Sequence, residues 1–135
     1  MLGACAGLFR DEPPPPELVA AMSPFGGGMG SSGQLCGTLA GALAVIGFTW
    51  GKTEPRGRDH KLMWKLSNAM VARFAEICQP YGGTDCIDIA RVDWKDAEQV
   101  RAFYRDPDSC RNNCIRVVRK TAASLHDLVS TVARR

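Results

Sequence analysis

Apolar residues recur at helical spacing over Asp59 to Cys78: Leu62, Leu66, Met70, Phe74 and Ile77 share one stripe, and Lys61, Lys65 and Arg73 fall off it. That period predicts an amphipathic helix with one buried face. A second stripe, Cys114, Val118, Ala122, Leu125, Leu128 or Val129, and Val132, predicts a final helix from about Cys110 to Ala133, capped by Asp106-Pro107-Asp108-Ser109. The stretch from about Ser32 to Trp50 has no polar face, because Leu35 to Trp50 is apolar at nearly every position. It predicts a central helix covered on several sides. Shorter helices are expected at Glu17–Met22, in a turn holding Cys86, Ile87 and Ile89 capped by Thr84-Asp85, and at Asp93–Tyr104. No segment alternates with the two-residue period of a strand, so the predicted architecture is an all-α bundle of about five helices.

Prolines and glycines punctuate this pattern. Pro13 to Pro16 read as an extended linker after a short apolar stub, Met1–Phe9, and Gly26, Gly27, Gly28 and Gly30 form a glycine-rich loop ahead of the central helix. Residues 1–135 are expected to be one helical domain, with 1–16 as stub and linker.

Composition narrows the classes. An apolar content of 45% and a charged content of 23% are those of a globular protein, and a net charge of +3 lacks the basic stripe of a nucleic-acid binder. Leu35–Trp50 falls short of the roughly 18–20 apolar residues of a membrane span and is interrupted by Gly37, Gly41 and Gly47, so the chain is not expected to cross a membrane. No basic start and apolar stretch mark a secretion signal, and the cytoplasm is the expected location. There, six cysteines read as thiols, metal ligands or a redox pair rather than a disulfide scaffold.

Cys36 stands in the opening turn of the central helix, where the positive end of the helix dipole favours a thiolate over a thiol. It is the expected nucleophile. Gly33, Gly37 and Gly41 recur at a spacing that places three hydrogen side chains on one helix face, for close packing or for a site. The loop Gly26–Gly30 can present backbone N–H groups to an anion, yet it lacks the lysine and Ser/Thr of a phosphate-binding loop. Cys110 and Cys114 stand four apart on the last helix, better placed for metal ligation or for partners elsewhere than for a bond to each other. Arg111, Arg116, Arg119 and Lys120 read as a solvated face that can also favour nearby thiolates or meet an acidic partner. The two histidines, His60 and His126, read as surface residues at helix edges. Neither Cys-x-x-Cys nor Cys-x-x-Cys-His occurs, which removes covalent c-type haem.

The run Phe25-Gly26-Gly27-Gly28-Met29-Gly30, then Gly33, Cys36-Gly37 and Gly41-Ala42, followed by Thr84-Asp85-Cys86 and Cys114-Ile115-Arg116-Val117-Val118, resembles the small redox-active proteins of the C_GCAxxG_C_C family. Thr38 stands where that family usually has alanine. The resemblance implies redox-active cysteines at Cys36, Cys86 and Cys114, with Cys5 as the fourth hallmark position. It also implies an unidentified redox partner, a link to membrane transporters, and kinship with an iron–sulfur domain of split-Soret cytochromes. Two chemistries follow for that set: thiol exchange, in which Cys36 attacks and Cys86 or Cys114 resolves, or a metal centre in which Cys5, Cys36, Cys86 and Cys114 hold zinc or an iron–sulfur cluster. Gly26, Gly27, Gly28, Gly30, Gly37 and Gly41 are the glycines expected to shape the site. A non-catalytic helical interaction module that partners a membrane transporter and uses its cysteines for packing is the competing reading.

Overall fold

Three long helices make the core of the computed structural model, which describes residues 1–133. They are α3 (Gly37–Trp50), α4 (Lys61–Cys78) and α7 (Arg111–Ala133), each packed on the other two; shorter α1 (Leu2–Cys5), α2 (Pro16–Ala21), α5 (Cys86–Ala90) and α6 (Ala97–Arg105) complete seven helices among the described residues. Extended pairing among them is confined to an isolated antiparallel bridge between Leu35 and Asp85.

Helix α4 buries Leu66, Met70, Phe74 and Cys78, a strict four-residue rail, with Leu62 and Ile77 half-buried on its flanks. Helix α7 answers with Val117, Thr121, Leu125 and Val129. Here the expected stripe was rotated by about one residue: Val118 is exposed and Val117 is inside, because the polar Thr121 occupies a core position and continues the rail. The Thr121 hydroxyl has no hydrogen-bond partner there. Apolar on all sides, α3 needs cover beyond these two helices. The N-terminal segment supplies it: Leu2, Cys5 and Ala6 are buried in the same core, and Arg10 donates to the Phe48 carbonyl at 2.8 Å with its guanidinium over the Phe48 ring. What reads as a stub is a wall of the core.

Helix starts differ from the sequence pattern where side chains cap the chain. Asp96 accepts from the N–H groups of Glu98 and Gln99, so α6 begins at Ala97, and the residues from Asp93 form the turn before it. The Nδ1 atom of the exposed His60 accepts from Leu62 N–H and starts α4 at Lys61. Gly33 lies outside α3, in the loop with φ +78°, so the three-glycine helix face reduces to Gly37 and Gly41. A Cβ at Gly37 would strike the Phe25 carbonyl, and one at Gly41 would lie 2.7 Å from Met1 Cβ. What approaches α3 so closely is the glycine loop and the N-terminal segment.

Candidate functional site

Two backbone segments far apart in sequence meet at the start of α3. Cys36 N–H donates to Thr84 O at 3.3 Å, Cys86 N–H to Gln34 O at 2.7 Å, and Ile87 N–H to Gly33 O at 2.8 Å. Flanking the isolated Leu35–Asp85 bridge in this way, these bonds bring the start of α3 at Cys36 alongside the start of α5 at Cys86. Helix α5 is held on α7 by Asn113, whose side-chain amide donates to Ile89 O at 3.2 Å. Cys114 lies one residue beyond that tether and touches both the main core and the small apolar cluster of Cys86, Ala90, Val92 and Phe103.

Cys36, Cys86 and Cys114 therefore line one cleft of about 660 Å³, together with Gly26, Gly27, Gly37 and Gly41. Cys36 is the N-cap of the 14-residue α3 and is half-buried; Cys86 is buried at 8% exposure. Gly28 lies behind the cleft, where its missing side chain admits the Gln34 backbone and Cys86, and Gly30 faces open space. The loop is folded on itself: Gly26 N–H donates to Ser23 O and Gly30 N–H to Pro24 O, so neither points outward to an anion.

Cys5 does not line the cleft. It is buried in α1 against α3, with its Sγ 3.5 Å from Met1 Sδ. Cys110 precedes α7 rather than sharing its first face with Cys114, and lines a separate cavity with Ala90, Phe103 and Ser109. Among the described residues, no three Cys, His, Asp or Glu side chains are gathered closely enough to hold one metal ion.

Electrostatics divide the thiols. Burial pushes Cys114 up from 9.0 to about 12, helped by the neighbouring Cys86 and Cys36. Cys78, at the end of α4 and wholly buried, is pushed to about 11 by burial, then by Cys36 and Asp88. It does not line the cleft and belongs to the main core, as a cysteine on an apolar stripe suggests. The Cys86 thiol is raised by burial, opposed by the indole N–H of Trp94, and raised further by Cys36 and Asp85.

Trp94 carries no motif and was missed in the sequence. Its indole Nε1 is buried without a formed hydrogen bond, its ring stands edge-on to Phe103 at 5.1 Å, and it lines the cleft beside Cys86. The Cys86 sulfur is the group it is placed to serve.

The chain matches, over residues 1–128, the model of the family described as "Putative redox-active protein (C_GCAxxG_C_C)". It belongs to this family. No curated protein and no solved structure matches it. Membership in the C_GCAxxG_C_C family makes a redox role the coarse functional assignment. No helix among the described residues is long and apolar enough to cross a membrane.

The raised thiols also predict how this family member responds to alkali. A thiol whose pKa is higher in the folded than in the unfolded chain contributes stability that is fully present below the unfolded value and is lost as pH climbs through the folded one. For Cys114 that window runs from 9.0 to about 12. Denaturant unfolding of the reduced protein should show stability falling across this range, and Cys114→Ser should flatten the fall. An unchanged alkaline limb would show that Cys114 is not the group responsible.

Proposed function

We propose that this protein carries out thiol–disulfide exchange, with Cys36 as the attacking thiolate and Cys86 as the resolving thiol. The observation that carries the reading is the convergence of Cys36, Cys86 and Cys114, tens of residues apart in sequence, on one open cleft. Cys36 and Cys114 are both half-buried, and of the two it is Cys36 that caps a long helix, whose positive dipole end favours negative charge at that position.

In the first step the Cys36 thiolate attacks one sulfur of an external disulfide, the S–S bond breaks, and one partner thiolate leaves as a mixed disulfide forms. In the second, Cys86 loses its proton, attacks the Cys36 sulfur and expels the second partner thiolate. Two protein thiols are oxidised, one external disulfide is reduced to two thiols, and two protons are released to them. Cys86 is favoured over Cys114 because backbone hydrogen bonds either side of the Leu35–Asp85 bridge tie its segment to that of Cys36 and because the Trp94 N–H is beside it, whereas the Cys114 thiol is pushed up to about 12. Cys114, in the cleft lining, and Cys78, buried in the core, stay protonated at neutral pH.

Treatment of the reduced protein with one equivalent of a small disulfide, followed by non-reducing peptide mapping, tests the assignment. The expected product is a Cys36–Cys86 linkage, and Cys36→Ser should abolish both the linkage and the mixed disulfide. Cys86→Ser should instead trap the mixed disulfide on Cys36. A product linking Cys110 to Cys114, or full activity in Cys36→Ser, would remove Cys36 from the role.

A further inference from the structure

The mouth of the cleft has a chemistry of its own. Its walls are apolar, formed by Met22, Phe25, Phe103, Tyr104, Ile115 and Val118, and three of these, Tyr104, Ile115 and Val118, are solvent-exposed. Two arginines, Arg111 and Arg119, line the cleft here, and among the described residues no Asp or Glu does. Neither arginine is in an ion pair; among the described residues the one salt bridge joins His126 to Asp127. The Arg111 guanidinium lies over the Tyr104 ring, 5.6 Å from its centroid, which holds it at the mouth. Eight residues of helix separate the two arginines, a rise of about 12 Å, and the same wall of α7 presents Cys114, Ile115 and Val118 between them.

We infer that the cleft selects low-molecular-mass disulfides whose arms end in carboxylates. The arginines take the two carboxylates, the apolar wall takes the methylene arms, and the central sulfurs are presented to Cys36. This rests on the exchange reading above and uses the same balanced steps: the bound disulfide is reduced to two carboxylate-bearing thiols as Cys36 and Cys86 are oxidised. A volume of about 660 Å³ is that of a small-molecule site rather than of a folded partner.

Three symmetric disulfides of similar length separate the possibilities: dithiodiglycolate with two negative ends, hydroxyethyl disulfide with neutral ends, and cystamine with two positive ends. Thiol loss is followed by stopped flow at low salt in the wild-type protein, in Arg111→Gln/Arg119→Gln, and in Lys65→Gln as a distant charge control. The expected order is dithiodiglycolate, then hydroxyethyl disulfide, then cystamine, with steps of about fivefold that shrink as salt is raised. The double variant should bring the anionic rate down towards the neutral one, and Lys65→Gln should leave the order intact. Equal rates for all three reagents, or an anionic preference that survives loss of both arginines, would overturn the selectivity while leaving exchange at Cys36 standing. If no reagent oxidised the protein, the exchange reading would fall and the selectivity with it.

Discussion

Gly28→Ala will cost about 2–5 kcal/mol of stability, the sum of a left-handed backbone penalty of about 1–2 kcal/mol and an overpacking cost of about 1–3 kcal/mol. Gly28 has φ +77°, and a Cβ there would lie 2.5 Å from the Gln34 carbonyl oxygen and 2.7 Å from Cys86 Cβ. Those two neighbours are the pairing that brings Cys86 to Cys36, through the Cys86 N–H bond to Gln34 O. The variant should therefore lose Cys36–Cys86 exchange as well as stability. Gly30→Ala supplies the control: its φ is +63°, yet nothing lies within 4 Å of the added carbon, so only the backbone penalty applies. Urea unfolding of the two variants measures the difference, and equal losses would show that close approach at Gly28 has no energetic weight.

Trp94→Phe should slow the resolving step by one to two orders of magnitude while leaving the first attack by Cys36 unchanged. A hydrogen bond to a charged group is worth about 1.5–3 kcal/mol, and the indole N–H is the donor that opposes the burial raising the Cys86 thiol. Phenylalanine keeps a ring against Phe103 and Gly27 but removes that donor. The mixed disulfide on Cys36 should accumulate, and the pH profile of its resolution should move upward. A resolution rate and profile identical to wild type would show that Trp94 acts through packing alone.

Both expectations depend on features of unequal legibility. The all-α class, the α4 rail through Leu66, Met70 and Phe74, and the position of Cys36 at the head of an apolar helix could all be read from local pattern. The glycine loop was equally visible. Its use was not, because a glycine run is compatible with anion binding, with packing and with a tight turn, and only the position of Gln34, Cys86 and Phe25 around it decides among them. Thr121 misdirected the reading of α7, since a hydroxyl-bearing residue at a core position breaks the apolar stripe that periodicity looks for.

Local order therefore determined which of the longer segments are helices and that Cys36 heads one of them, because these depend on residues three or four apart. Tertiary structure decided the rest. It brought Cys86 and Cys114 to the cleft that Cys36 lines and left Cys5 buried in α1; it turned the N-terminal segment into core. It also set Trp94 beside Cys86 and left Arg111 and Arg119 at the mouth. Each of these is a contact between residues tens of positions apart. Such contacts follow from how an all-round apolar α3 is covered by its neighbours, and no periodicity along the chain encodes which neighbour covers which side.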